Sequence, residues 1–181
     1  MVINTIGVVG AGTMGNGIAQ TFAVAGIPVI LTDVAQAQLD RALKSIDGSL
    51  ERLVKKDKMT ADAKAAALAN IRTATTTEAQ QEADVIVEAA TENLDLKLRI
   101  FADLDRVAKP GAILASNTSY LDVNEIAHFT DRPGSVLGMH FFSPANVMKL
   151  LEIVRGADTK PEMLATAISV ARKIGKVPVV V

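Results

Sequence analysis

The 181-residue sequence contains no cysteine. That removes disulfides, thiolate nucleophiles and cysteine-ligated metals from consideration. It fits a reducing compartment, so a cytoplasmic location without a bound metal is the expectation. Tryptophan is absent and aromatic residues make up 3% of the chain, so the core has to be built from Val, Ile, Leu and Ala. An excess of either charge is lacking too: 19 Lys and Arg are interleaved with 20 Asp and Glu, for a net charge of −1. The basic face that nucleic acid requires is missing, and no nucleic-acid partner is expected. No apolar run approaches the length of a membrane span, the best one being interrupted by Gly26 and Pro28. The opening stretch from Met1 to Ile6 lacks the basic start and long apolar core of a signal peptide. No membrane partner is expected.

What is present is globular material: 49% apolar and 22% charged residues, at a length that suits one domain with a sizeable core. Short β-branched runs alternate with helical stretches. The predicted strands are Ile6–Val9, Val29–Thr32, Ile71–Ala74, Val85–Glu88, Ile113–Ser116, Val136–His140, Leu150–Val154 and Val177–Val181. The predicted helices are Thr13–Ala25, Ala35–Lys56, Ala61–Asn70, Glu78–Ala83, Leu94–Val107, Asp122–Ala127 and Pro161–Ile174. This alternation implies an α/β fold with a doubly wound, mostly parallel sheet. The nearly continuous apolar character of the strands suits burial on both faces. Thr75-Thr76-Thr77-Glu78 reads as a capping box, and Gly175 stands where a helix C-cap would.

One segment breaks the strand–helix rhythm. Between the second strand and the next clear one lie two helices, over about residues 35–70. The first carries Leu39, Leu43, Ile46, Leu50 and Leu53, an alternating 4-3 spacing that suits a seam against a partner helix. The pair reads as a helical hairpin inserted into the fold. The plainer alternative is a packing excursion, since surface helices commonly carry such stripes.

Gly10-Ala11-Gly12-Thr13-Met14-Gly15 follows the first strand directly and opens a helix. Gly10 permits the tight turn, Gly12 lets backbone approach a pyrophosphate, and Gly15 lets helix pack on strand. A bare G-x-G-x-x-G is weak. Here it has a strand before it, a helix after it, and Asp33 at the end of the second strand. A carboxylate there accepts hydrogen bonds from ribose hydroxyls and repels a 2′-phosphate. No Arg follows in Asp33–Gln38 to neutralise one, so NAD rather than NADP is the expected cofactor.

Ligands of open α/β sheets lie beyond the carboxyl ends of the strands. His140 ends one strand, Ser116-Asn117-Thr118-Ser119 ends another, and Glu88 and Glu92 end a third. Glu152 returns beside His140 if the Pro144 loop reverses the chain. A carboxylate on one imidazole nitrogen fixes the tautomer and leaves the other nitrogen to accept a proton. His128, at a helix end, reads as an ordinary surface histidine. Asn117 and Ser119 can equally be turn residues.

These stretches resemble the NAD-binding domain of the L-3-hydroxyacyl-CoA dehydrogenases, including the 3-hydroxybutyryl-CoA type. The likeness runs through Gly10–Gly17, Val87-Glu88-Ala89-Ala90-Thr91-Glu92, Ser116–Ser119 and Gly138–Glu152. It implies a Rossmann-like domain over 1–181 and NAD-dependent interconversion of L-3-hydroxyacyl-CoA and 3-ketoacyl-CoA. It implies His140 as catalytic base, Glu152 as its partner, and Ser119 with Asn117 at the reacting oxygen. The cofactor residues it implies are Gly10, Gly12, Thr13, Met14, Gly15, Asp33, Glu92, Lys97, Asn117, Ser119 and Ser143. Ser49 and Lys56, on the hairpin, match positions that hold coenzyme A, so an acyl-CoA substrate is the implied partner. On composition alone, Lys55, Lys56 and Lys58 are a solvated face.

The chain departs from that family in two places. Ser143 stands where the family often has asparagine, a variant that resembles members fused to a hydratase. The family also continues beyond Val181 into a helical domain that covers the substrate and mediates dimerisation, which is absent from this sequence. An NAD-binding module without turnover is therefore the second expectation. A third, a 3-hydroxyacid dehydrogenase with a catalytic lysine, fits the His140/Glu152 pairing and the Lys-bearing hairpin less well.

Overall fold

The first strand, Ile6-Gly7-Val8-Val9 (β1), is the spine of an eight-stranded sheet. The computed structural model describes residues 2–181; Met1, the first residue of the Met1–Ile6 stretch, lies outside them. The other strands are β2 (Val29–Thr32), β3 (Ile71–Ala74), β4 (Val85–Glu88), β5 (Ile113–Ser116), β6 (Val136–Phe141), β7 (Leu150–Val154) and β8 (Val177–Val180). Their order across the sheet is β3-β2-β1-β4-β5-β6-β7-β8. The first six are parallel, β7 runs antiparallel to β6, and β8 is parallel to β7. The order reverses between β1 and β4, as the doubly wound expectation requires.

The helices are α1 (Thr13–Val24), α2 (Gln36–Lys55), α3 (Ala61–Ala69), α4 (Leu94–Val107), α5 (Val123–His128) and α6 (Pro161–Lys173). Local chemistry sets their starts. Thr60, Asn93 and Asp122 each cap a helix by accepting a backbone N–H from Ala63, Leu96 and Asn124. Both sheet faces are covered. On one, Ile6, Val8, Val29 and Leu31 pack with Ile18 and Phe22 of α1 and with the α2–α3 hairpin. On the other, Ile86, Leu114 and Val136 pack with Phe101, Leu104 and Ile126 of α4 and α5. Each such side chain contributes about 1.5–3 kcal/mol on burial. The outer strands β3 and β8 are only partly covered, so the two-sided burial expected from composition holds for the central strands alone.

Three expectations need correction. The inserted hairpin forms, but its buried stripe is Leu39, Ala42, Ile46 and Leu50, with Leu43 only half-buried. That 3-4-4 spacing faces a broad globular core rather than a narrow helix seam. The predicted helix Glu78–Ala83 is a 3₁₀ segment, Thr77–Glu82, and the capping box expected at Thr75–Glu78 does not form, since no side chain caps the segment. Its purpose in the packing is Gln80, wholly buried, whose Nε2 donates to Val8 O, Ile30 O and Thr32 Oγ1. Gly7 makes room for it, since a Cβ there would stand 1.9 Å from Gln80 Oε1. The helix ends otherwise fall within a residue of expectation.

A buried ion pair ties β4, α4 and β5 together at the carboxyl edge. Lys97 Nζ donates to Glu88 Oε1 and Oε2 at 2.7 and 2.9 Å and to Ala90 O at 3.2 Å. Ser116 Oγ and Ala90 N each donate to the same carboxylate at 2.7 Å. Lys97 is 1% and Glu88 0% exposed, so neither charge has water to fall back on. Removing one partner strands the other. Lys97→Met should therefore cost about 3–5 kcal/mol of stability, read by urea unfolding, and adding Glu88→Gln should recover much of it. A single-variant loss below about 1 kcal/mol would mean that the pair behaves as an exposed one.

A second carboxylate gives a pH dependence. Burial pushes the Asp84 carboxyl up, but the Lys109 ammonium and the Asn4 and Thr5 amides that bond it outweigh burial. Its pKa in the folded chain lies below the ordinary carboxyl value. The stabilisation is thus complete above the unfolded-state pKa and is lost as pH falls through the lower folded one. Asp84→Asn should destabilise the chain at neutral pH, with the gap to wild type closing in acid denaturation below about pH 4.

Candidate active site

Backbone geometry makes the first part of the site. Gly10 has φ of 97°, and a Cβ there would meet Ala89 O at 2.8 Å. A Cβ on Gly15 would stand 1.7 Å from Gly10 O, so only glycine lets α1 approach the loop. Gly12 is different: nothing lies within 4 Å of where its Cβ would be. The open space is on the outside, where a ligand approaches. Gly12 caps α1 without a side-chain bond, and no acidic residue sits in the first turn. The N–H groups of Thr13, Met14 and Gly15 thus face that space at the positive end of the helix. An anionic pyrophosphate fits this seat.

Asp33 closes the loop from the β2 end. Its Oδ2 accepts from Ala11 N at 2.9 Å and its Oδ1 from Ala35 N at 3.0 Å. Beside it runs a cleft of about 480 Å³ lined by Val9, Gly10, Gly12, Asp33, Val34 and residues of α4. The α4 residues are Leu96, Arg99, Ile100 and Asp103, a spacing of i, i+3, i+4 and i+7 that marks one face of a helix. Sequence reasoning missed this wall, although the spacing was there to be read. Val34, 94% exposed, stands at the mouth. The residues present fit an adenine nucleotide: apolar walls for a ring, a carboxylate for ribose hydroxyls, free N–H groups for phosphates.

The imidazole lies at the other side of the switch point. β6 and β7 are antiparallel with His140 directly opposite Glu152. His140 Nδ1 bonds Glu152 Oε2 at 2.8 Å, so the chain reversal expected from the Pro144 loop occurs. The side chains are 16% and 33% exposed, and Phe142 lies against the imidazole at a centroid distance of 4.5 Å. No hydrogen bond to Nε2 is found among the described residues, which leaves it open to a ligand. Asn117 Oδ1 accepts from Phe141 N at 2.8 Å, joining the end of β5 to the end of β6 next to His140. Its amide group remains available.

Other expected residues are held in ways the sequence did not indicate. Glu92 accepts from Thr118 Oγ1, Ser119 N and Ser119 Oγ at 2.8, 2.9 and 3.3 Å. It therefore fixes the loop after β5, and the Ser119 hydroxyl turns toward Glu92 rather than toward His140. Lys97, expected at the cofactor, is buried with all three ammonium protons donated. A direct bond from it to a nucleotide requires one of these to be given up. Glu88 lies beneath the surface in the same knot rather than facing a ligand. Ser143 is exposed. On the hairpin, Ser49 Oγ accepts from Gln20 Nε2 at 3.0 Å and Asn146 Nδ2 at 3.4 Å. With both lone pairs engaged, its own proton is left to donate outward. Gln20 and Asn146 were not anticipated, because neither belongs to a local motif. Lys56 is exposed at the end of α2. His128 is exposed and paired with Asp158, as a surface histidine should be. Among the described residues no cluster suited to a metal occurs, and no helix is long and apolar enough to cross a membrane.

Comparison with known proteins agrees with this geometry. A 3-hydroxybutyryl-CoA dehydrogenase of Clostridioides difficile is 41% identical over 174 residues, which cover 96% of this chain and 62% of that protein. The peroxisomal bifunctional enzyme of Cavia porcellus is 44% identical over 179 residues, 99% of this chain and 24% of that enzyme. The crystal structure of (S)-3-hydroxybutyryl-CoA dehydrogenase from Ralstonia eutropha superposes with a TM-score of 0.98 at 42% identity, covering 99% of this chain and 64% of that one. The chain thus spans less than two thirds of the length of these relatives. Residues 5–181 match the family of the 3-hydroxyacyl-CoA dehydrogenase NAD-binding domain, and with its open glycine seat, Asp33 and NAD as cofactor, the chain belongs to that family.

Proposed function

We propose that this chain is the NAD-binding and acid–base part of an enzyme that interconverts L-3-hydroxyacyl-CoA and 3-ketoacyl-CoA. The observation that carries the reading is the His140–Glu152 pair at the same sheet edge as the open glycine seat. When bound, NAD supplies the hydride acceptor. Nε2 of His140 takes the hydroxyl proton, and Glu152 on Nδ1 holds the tautomer and stabilises the imidazolium that results. In the reverse direction the same imidazolium returns the proton to the ketone. Asn117 and Ser119 hold the reacting oxygen; for Ser119 this means exchanging its bond to Glu92 for one to the substrate. Ser143 and Glu92 border the nicotinamide end. Ser49, as a donor, and Lys56, as a cation, receive coenzyme A on the hairpin.

The proposal extends to a cytoplasmic location and to a longer parent that dimerises through a helical domain following Val181. The guinea-pig relative is by name peroxisomal, so cell fractionation decides the first point and size-exclusion chromatography of a longer form the second. A second reading is favoured by the limited span of the chain relative to its relatives: an NAD-binding module without turnover of its own. Positioning of substrate is worth several kcal/mol of barrier, and a covering domain supplies it. NADH oxidation with acetoacetyl-CoA separates the readings. This chain should bind NADH yet turn over almost no substrate, and an extended form should be active. Robust turnover by these 181 residues would show that the strand ends suffice.

In the extended form, His140→Gln should lower kcat by roughly 10²–10⁴ while NADH affinity stays nearly unchanged. Normal kcat would send the proton elsewhere. For the cofactor, NADH should bind well above NADPH, and Asp33→Ala should weaken NADH by about 1.5–3 kcal/mol in a fluorescence titration. Equal affinity for the two dinucleotides would remove Asp33 from the selection.

A further inference from the structure

The loop between β6 and β7, residues 142–149, is held from two sides. On one, Ala145 is buried against Gly17 of α1, where a Cβ would stand 3.2 Å from the Ala145 Cβ. Thr21 Oγ1 of the same helix donates to Ala145 O at 3.3 Å. On the other side stands Lys176, whose ammonium donates to Ala145 O at 2.5 Å and to Met148 O at 2.6 Å. Lys176 is 8% exposed. Among the described residues no carboxylate pairs with it.

Its place in the sequence makes this unusual. Gly175 has φ of 73°, Gly175 N bonds Arg172 O at 3.0 Å, and Lys176 N bonds Ala171 O at 2.9 Å. α6 therefore ends in a Schellman motif, in which the residue after the glycine is ordinarily apolar and packs back on the last turn. A lysine there can lay its stem on the protein and send its ammonium to water. This one turns the charge inward. Burial, with the nearby Lys149 adding, holds its pKa below the ordinary lysine value. The cation gives up hydration, and two carbonyls of one loop are the compensation.

That loop closes the ribbon whose next pairs are Phe141 with Leu151 and His140 with Glu152. It also carries Asn146 to Ser49 on the hairpin. We propose that Lys176 is a positioning residue: by holding Ala145 O and Met148 O it sets the shape of the β6–β7 loop, and through it the His140–Glu152 bond and the Asn146–Ser49 contact. The proposal rests on the acid–base reading of His140 and Glu152. It adds a residue of α6–β8 that touches neither substrate nor cofactor yet ties the proton-transfer end to the coenzyme A end.

The test is imidazole NMR on this chain. It has two histidines, and His128, paired with Asp158 away from the loop, is the internal control. In Lys176→Met, exchange of the His140 Nδ1 proton with water should accelerate about tenfold or more. The His128 signals and the circular dichroism spectrum should stay as in wild type, and NADH affinity should hold within about twofold. A folded Met variant with unchanged His140 exchange overturns the proposal. So does a joint loss of NADH binding and His140 order, which would make Lys176 a support of the whole core. If the Met variant does not fold, Lys176→Gln, which keeps an amide donor for one carbonyl, is read in the same way. Failure of both to fold also counts against a role confined to the loop. No step of this readout involves turnover, so a failed dehydrogenase assay and a failed positioning role are seen separately.

Discussion

Six parallel strands must all end at one edge of the sheet, and the rest of the site follows from that constraint. Parallel neighbours cannot be joined by tight turns, so each connection crosses a face and delivers its loop to the carboxyl edge. Where the order reverses between β1 and β4, two adjacent crossovers leave on opposite faces and a crevice opens between them. The glycine loop after β1, Asp33 after β2, Glu92 after β4 and Asn117 after β5 arrive there because the topology allows no other place. The short apolar strands that build this edge must be covered on both faces, which is why α1, α6 and the hairpin share one side and α4 and α5 the other.

Charge at this edge is arranged in layers. The Glu88–Lys97 pair is wholly buried, and its oxygens also take Ser116 Oγ and Ala90 N. Above it, Glu92 binds the backbone and hydroxyl of Ser119. Above that lies solvent. The buried layer makes the upper one rigid, because a carboxylate saturated by a cation, a hydroxyl and an amide has no alternative partner to relax toward. The same logic appears across the sheet, where Lys176 meets carbonyls instead of a carboxylate. In each case an interior ammonium holds backbone that carries polar groups of the site.

Much of this was legible in the sequence, and the reasons are specific. The strands could be read because their residues are apolar on both faces, so no periodicity had to be guessed. The nucleotide seat could be read because three glycines and one aspartate each have a separate steric or electrostatic task. The His140–Glu152 pairing could be proposed because the Pro144 loop allows the chain to reverse and bring the two strands side by side. What could not be read were contacts between residues distant in sequence with no motif around them. Gln80 reaching under β1 is one, on a segment that is 3₁₀ where a helix was expected. Lys97 is another: the family likeness placed it near the cofactor and gave no sign that its protons go to Glu88 and Ala90. The hairpin stripe failed in a third way. Leu43 belongs to a heptad pattern, but the face of α2 turned to the broad core takes in Ala42 and leaves Leu43 half-buried.

The antiparallel turn from β6 to β7 sets His140 opposite Glu152, and the register of the two strands decides whether they meet. In an antiparallel pair, a slip of one residue moves every side chain of one strand to the opposite face. Glu152 would then point away from His140, and Leu151 or Ile153 would replace it beside the imidazole. The register is fixed in part by core residues: Leu151 and Ile153 are fully buried and resist exposure. It is fixed also by the loop, which must bring Phe141 opposite Leu151. Apolar burial thus selects the face on which Glu152 lies, and the loop selects the partner it meets. The stability of the sheet and the geometry of the His140–Glu152 bond are, at this one pair, set by the same side chains. A substitution that loosened Leu151 or Ile153 would disturb His140 without touching it.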